Sequence, residues 1–314
     1  MVIEADNTPD VIVIGGGPAG LSAALWCAEL GMKATLLERG NEFGGQLLRT
    51  YNPITNYLGV QASNGRELRD RFLHHSTHAA YDRVLNAQVR SVDPERRVVA
   101  LDDGKQLSAA AIIIATGVRR RKLNIPGEEE FRGRGILESG VGEKRRVEGK
   151  RVLIVGGGDA AIENALILSE VAAAVKVAHR SPTLGARPEF AEALTEHENL
   201  TLLSQSVVLR ILGDSRISAV ELKNISTEHA WIEPVDALLI RIGVKPNSDL
   251  VRGVIDCDAS GYIRVNALCE TNISNIFAVG DVANPLALTI NSAAGTGATA
   301  AKAIFHSLRA SKGL

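Results

Sequence analysis

The sequence predicts an α/β protein built from two Rossmann-like, parallel-sheet nucleotide-binding domains, the second inserted in the first. Three observations lead there. A strand, a glycine turn, a helix and a second strand ending at a charged residue follow one another over residues 11–38. The same succession returns over residues 151–180. Each is followed by an apolar strand run that breaks at a glycine, residues 111–117 and 237–243. At 314 residues the chain is also too long for one ordinary core and suits two domains of about 100–200 residues each.

The first unit opens with the buried-strand run Val11-Ile-Val-Ile, then Gly15-Gly-Gly-Pro18-Ala19-Gly20, then a helical pattern over 21–30 closed by Gly31. A second strand, Ala34-Thr-Leu-Leu, ends at Glu38. In such a turn Gly15 makes the tight bend, Gly17 lets backbone approach a pyrophosphate, and Gly20 lets helix and strand pack closely. The helix N-terminus faces the phosphates, and an acid at Glu38 can accept hydrogen bonds from an adenosine ribose.

In the repeat, Arg151-Val-Leu-Ile-Val is the strand, Gly156-Gly-Gly158-Asp159-Ala160-Ala161 the turn, 162–168 the helix, and the second strand ends in His179-Arg180. Cations at that point favour a 2′-phosphate over a free hydroxyl. The first domain is thus expected to hold an NAD-type or FAD adenosine, and the second to lean towards NADP. The basic or polar crossovers Val118-Arg-Arg-Arg-Lys122 and Val244-Lys-Pro-Asn-Ser248 read as linkers. Residues 276–281 (strand and acidic turn) and the small-residue helix from Ala293 onward are expected to rejoin the first domain. The boundaries are then 1–117 with 245–314 for the first domain and 118–244 for the inserted one.

Composition narrows the function classes. With 35 basic and 36 acidic residues, nothing points to nucleic acid or an anionic membrane as partner. The start MVIEADNTPD lacks the basic, then apolar, character of a signal peptide, and no apolar run reaches the ~20 residues of a membrane span, so the expectation is a cytoplasmic protein. Cys27, Cys257 and Cys269 fit neither a zinc site nor a C-x-x-C pair. Cys27 sits in an apolar helical pattern, and Cys257 and Cys269 flank a hairpin-like stretch. His74, His75 and His78 place two histidines one helical turn apart, but no third ligand is in view, so no metal is expected. The cations at Arg119 to Lys122 and Lys144 to Arg146 read as a solvated basic surface, with docking of an acidic electron carrier as the sharper alternative.

In order and spacing, GGGPAG at 15–20, GGQL at 44–47, TNYLG at 55–59, ATG at 115–117, GRG at 133–135, GGGDAA at 156–161, HR at 179–180 and IFAVGD at 276–281 resemble the low-molecular-weight thioredoxin reductases. These are flavoproteins with two dinucleotide sites, and the resemblance covers nearly the whole chain. It implies FAD held at its pyrophosphate by Gly15, Gly17, Ala19 and Gly20, with Pro18 in the same turn, and at its ribose by Glu38 beside Arg39. It places Gly45, Gln46 and Asn56 along the flavin, Val89 near the adenine, Ala115, Thr116 and Gly117 over the cofactor, and Asp281 at the ribityl chain. In the second domain it implies NADPH, with NADH as the alternative, held by Gly156, Gly158, Asp159, Ala160 and Ala161. Glu163 would lie near the nicotinamide, His179, Arg180 and Arg187 at the adenosine end, and Gly243 in the same site. A homodimer is implied by resemblance alone.

Three departures from the family matter. Where the family commonly shows His-Arg-Arg and a further Arg soon after, this chain has His179-Arg180-Ser181 and then Arg187. Where Arg-Gln-Ala precedes the last helix beside the flavin, it has Leu288-Thr289-Ile290, which should alter the flavin's redox potential. Where the redox-active Cys-Ala-Thr-Cys stands, it has Ser139-Gly-Val-Gly142, followed by Glu143 in place of an aspartate thought to be a general acid.

Neither serine nor glycine can cycle between dithiol and disulfide. The expectation is therefore an oxidoreductase that takes a hydride from NAD(P)H into FAD and passes electrons to an unidentified non-disulfide acceptor: a small redox protein, a quinone or oxygen. The alternatives are a ferredoxin (flavodoxin)–NADP reductase-like enzyme, a disulfide reductase using other cysteines, and a non-catalytic dinucleotide-binding protein. The first typically carries an aromatic C-terminal segment over the flavin, and the chain end Ala-Ile-Phe-His-Ser-Leu-Arg-Ala-Ser-Lys-Gly-Leu does not resemble it.

Overall fold

The computed structural model describes residues 8–311. The N-terminal stretch read above for leader character and the last residues of the chain end lie largely outside that range. Contacts divide the chain into two compact units, one of residues up to Arg119 together with those from Lys245 onward, the other Arg120–Val244.

In chain order the first unit supplies β1 (Val11–Ile14), α1 (Pro18–Glu29), β2 (Ala34–Leu37), α2 (Gly65–His75), β3 (Asp82–Val84), β4 (Val89–Asp93), β5 (Val98–Leu101), β6 (Gln106–Ser108), β7 (Ala111–Ile114) and β8 (Val118–Arg120), which runs into the second unit. That unit follows with β9 (Ile136–Leu137), α3 (Gly140–Glu143), β10 (Arg151–Val155), α4 (Asp159–Ser169), β11 (Ala174–His179), α5 (Pro188–Ala193), β12 (Leu200–Ser204), β13 (Ser206–Gly213), β14 (Ile217–Asn224), β15 (Ala230–Pro234) and β16 (Ala237–Ile240). After β17 (Val244–Pro246) the first unit resumes with β18 (Ile276–Ala278) and α6 (Ile290–Ser311).

In the first unit a parallel sheet runs β18-β7-β1-β2-β3. Both of its faces are covered, which is why β1 and β7 are apolar at every position rather than alternating. Val11 and Val13 face a core shared with α1 and α6, while Ile12 and Ile14 face a second core beneath the antiparallel β4-β5-β6 sheet. Each of Ile112, Ile113 and Ile114 is at most 1% exposed, a burial worth roughly 2 kcal/mol apiece. The small residues of α6 allow it to lie close on α1. A Cβ at Gly297 would come within 2.3 Å of the Ala19 carbonyl oxygen, and the Ser22 hydroxyl donates to the Ala294 carbonyl at 2.7 Å.

The second unit repeats the plan. Its parallel sheet runs β12-β11-β10-β16-β9. Val152 and Ile154 face α4, whereas Leu153 and Val155 face the antiparallel β13-β14-β15 sheet. Among the described residues no helix is long and apolar enough to cross a membrane.

Candidate functional site

In each unit the strand-to-helix turn sits at the carboxyl end of its parallel sheet, where open α/β sheets bind ligands. Gly15 has φ +110°, and a Cβ there would meet the Ala115 carbonyl oxygen at 2.4 Å; one at Gly20 would meet the Gly15 carbonyl oxygen at 1.9 Å. The turn therefore exists only with glycine at both positions. Both α1 and α4 begin on a glycine, Gly17 and Gly158, with no side-chain cap. By contrast Asn64 caps α2 and Ser139 caps α3. Uncapped first-turn amides are the donors an anionic pyrophosphate needs.

The first unit holds a cavity of about 830 Å³ at this turn, within the roughly 300–1,000 Å³ typical of small-molecule sites. Gly15, Gly17, Pro18, Ala19, Glu38, Arg39, Gly45, Gln46, Val89, Ala115, Thr116, Gly117, Asp281, Thr289 and Ile290 all line it. The Glu38 carboxylate is fixed by two main-chain donors, Gly16 N–H and Gly40 N–H, each at 2.8 Å. Its remaining lone pairs stay available for hydroxyl groups. Burial holds the Asp281 carboxyl above the usual aspartate range.

Two expected residues are not on the wall. Gly20 is packed into the start of α1, and Asn56 lies in a separate shallow hollow of residues 55–61, its carbonyl accepting from the Asn291 amide at 3.1 Å. Sequence reasoning missed Asn247, which lines the cavity and clamps the 115–117 turn. Its side-chain amide donates to the Thr116 carbonyl and the Thr116 hydroxyl donates to its carbonyl, each at 2.8 Å. The polar tripeptide Lys-Pro-Asn after a buried strand carried that signal but reads equally well as linker.

In the second unit Gly156 repeats the Gly15 geometry, with φ +141° and Arg241 carbonyl oxygen 2.1 Å from where a Cβ would sit. Ala160 and Ala161 stand in the first turn of α4, and Glu163 one turn further on. Gly243, at φ +87°, follows β16. Arg241, unremarked in the sequence, donates to the carbonyls of Ile240 at 3.0 Å and Glu138 at 3.1 Å; burial and the nearby Arg120 pull its pKa down to about 10.

The expected cation at His179 is corrected by the structure. His179 is 5% exposed, lies within hydrogen-bond distance of the Ser204 hydroxyl (Nε2, 3.1 Å), and burial pushes its pKa below the ordinary histidine value. Its burial disfavours the charged form. Arg187 is held by Asp159, while Arg180 is exposed.

Residues 139–143 form a capped turn of helix. Ser139 Oγ accepts from Gly142 N–H at 3.0 Å. Glu143 Oε2 reaches back to accept from Glu138 N–H at 2.6 Å and Ser139 N–H at 3.1 Å, while Oε1 accepts from Arg146 at 2.7 Å. A Cβ at Gly140 would lie 2.2 Å from the Asn164 side-chain oxygen, which instead accepts from Gly140 N–H at 3.1 Å. Both expected polar side chains of this segment are thus engaged in fixing its backbone.

The cysteines are free. Cys269 packs in the α1–α6 core and Cys257 at the edge of the other core of the first unit. Burial raises the pKa of both thiols and, with Asp10 nearby, pushes Cys27 up to about 12. The basic clusters are largely neutralised: Arg119 pairs with Asp249, Lys122 with Glu129, Lys144 with Glu170 and Arg146 with Glu143. Among the described residues no group of three or more His, Cys, Asp or Glu could hold a metal.

Two parallel sheets, each with a glycine turn leading into an uncapped helix, make two Rossmann-like units, the fold class of flavin- and pyridine-nucleotide-dependent oxidoreductases. Residues 9–304 match the family model described as pyridine nucleotide-disulphide oxidoreductase, and the chain belongs to that family. It is 31% identical over 308 residues to an NADH dehydrogenase of Bacillus subtilis, covering 97% of this chain but only 60% of that protein. It is 30% identical over 302 residues to a 34.2 kDa protein in the rubredoxin operon of Clostridium pasteurianum, covering 95% and 97% of the two chains. The crystal structure of Lactococcus lactis thioredoxin reductase superposes with a TM-score of 0.84 at 33% identity, covering 95% of this chain and 98% of that one. The chain is an enzyme of the thioredoxin reductase-like kind, with FAD and NAD(P)H as cofactors.

Proposed function

We propose that this enzyme passes electrons from NAD(P)H through FAD to an acceptor other than a disulfide. FAD, when bound, supplies the chemistry: it takes up the hydride and releases the electrons to the acceptor. The observation that carries the reading is that the chain has no cysteine between Gly135 and Gly156, while its three thiols lie elsewhere. All three have a raised pKa, so the thiolate that disulfide exchange requires is scarce.

In this reading the first-unit cavity takes FAD. The amides at the start of α1 bind the pyrophosphate, Glu38 the ribose hydroxyls, and the 115–117 turn clamped by Asn247 keeps its wall fixed. The second unit takes the pyridine nucleotide at the start of α4, with Glu163 towards the nicotinamide. The acceptor is a small redox protein, a quinone or oxygen; the Clostridium relative, named for the rubredoxin operon, adds rubredoxin to the candidates.

The test is anaerobic titration of the purified flavoprotein with NADPH and NADH, then a screen of acceptors. Ferredoxin, flavodoxin, rubredoxin, quinones, oxygen, oxidised thioredoxin and an aromatic disulfide would be included. Flavin bleaching with turnover on a non-disulfide acceptor is expected. Reduction of thioredoxin faster than every other acceptor would overturn the proposal, and a flavin that neither nucleotide reduces would favour a non-catalytic role.

A further inference from the structure

In a site of this architecture the end of the second strand decides between a coenzyme with a free 2′-hydroxyl and one with a 2′-phosphate. Two basic side chains stand there, His179 and the exposed Arg180, and a third, Arg187, follows just before α5. His179 is the partner of Ser204 across β11 and β12. At 5% exposure it is closed off from a ligand's phosphate, and its Nδ1 has no partner among the described residues.

Arg187 faces Asp159, the first residue of α4. Its main-chain N–H donates to one carboxylate oxygen at 2.8 Å and its Nε to the other at 2.8 Å. Gly185 N–H, two residues earlier, donates to the Gly157 carbonyl at 2.8 Å, so this segment is laid along the glycine turn.

A carboxylate at the first residue of α4 suits the helix dipole but opposes a pyrophosphate at the same place. The guanidinium of Arg187 offsets that repulsion. We infer that Arg187 assists both coenzymes equally by masking Asp159, and that Arg180 alone distinguishes a 2′-phosphate, so NADH and NADPH are accepted with similar affinity. The inference rests on the second unit being the coenzyme site. One exposed arginine facing a phosphate in water is worth only a few-fold, whereas a full cluster of such contacts would give far more.

The experiment uses the full-length flavoprotein, isothermal titration with NAD⁺ and NADP⁺, and stopped-flow flavin reduction by NADH and NADPH. The wild-type dissociation constants are expected to lie within tenfold of each other. Arg187→Ala should weaken both nucleotides by the same factor, about two- to fivefold, and the double variant Asp159→Asn/Arg187→Ala should regain most of that loss for both. Arg180→Ala should weaken NADP⁺ alone, by about two- to fivefold. A wild-type preference for NADP⁺ above tenfold, or a loss on Arg187→Ala confined to NADP⁺, overturns the inference while leaving the coenzyme site in place. If neither nucleotide binds nor reduces the flavin, the coenzyme-site reading fails and the inference with it.

Discussion

Replacing Glu143 by alanine separates a structural carboxylate from a catalytic one. A general acid contributes about 10²–10⁴-fold to a rate, so its loss would be plain in turnover. The structure assigns a different load. The Glu143 side chain is 18% exposed and its Oε2 serves the N–H groups of Glu138 and Ser139 together. Glu138 is exposed, so water can replace its share, but Ser139 is 8% exposed and its N–H would be left bare. A hydrogen bond to a charged group contributes about 1.5–3 kcal/mol net. The partner Arg146 is 73% exposed, and an ion pair so open to solvent adds little.

The expected cost is therefore about 2 kcal/mol, or a fall of about 3 °C in the unfolding midpoint for a chain of 314 residues unfolding together. Glu143→Gln, whose amide oxygen can still accept, should recover about half of it. Differential scanning fluorimetry and stopped-flow flavin reduction by NAD(P)H, run on the same preparations, decide the matter. Flavin reduction and acceptor turnover should stay within about threefold of wild type. An unchanged midpoint with turnover reduced more than tenfold would refute the cap and restore Glu143 as an acid.

Four further outcomes are expected. Gly20→Ala places a methyl against the Gly15 carbonyl oxygen and should drive the flavin-to-protein absorbance ratio below about a tenth of wild type; full flavin content would count against the turn geometry. In native protein an aromatic disulfide reagent should titrate only Cys257, which is half-buried, and reach Cys27 and Cys269 after unfolding. The double variant Cys257→Ser/Cys269→Ser should keep acceptor reduction within twofold, and loss of turnover would revive a thiol mechanism. Finally, an unfolded histidine takes a proton near pH 6.5 whereas buried His179 takes it only at lower pH. In that window the unfolded state binds more protons, so the contribution of His179 to stability rises with pH and is lost on acidification. Urea midpoints at pH 7.5 and 5.5 should therefore differ less in His179→Gln than in wild type; equal differences would contradict the lowered pKa that its burial implies.

The sequence by itself determined the features whose cause is local. A bend with φ +110° at Gly15 and the close approach at Gly20 tolerate no side chain, so the glycines show in the sequence wherever the turn occurs. Strands covered on both faces must be apolar throughout, so β1, β7, β10 and β16 are legible as runs. The absence of sulfur between Gly135 and Gly156 is likewise a fact of composition.

Tertiary structure decided what depends on partners distant in the chain. Whether the His179 imidazole meets solvent or protein is set by Ser204, which only the β11–β12 register brings beside it. Whether Arg187 is available to a ligand is set by Asp159, and whether Asn247 is linker or wall by its bonds to Thr116. The resemblance puts Ser139 at the place of a redox cysteine and Glu143 at that of an aspartate thought to be a general acid. Their hydrogen bonds show a helix cap, because a charge or hydroxyl in a sequence has no fixed use until folding presents the donors it must satisfy.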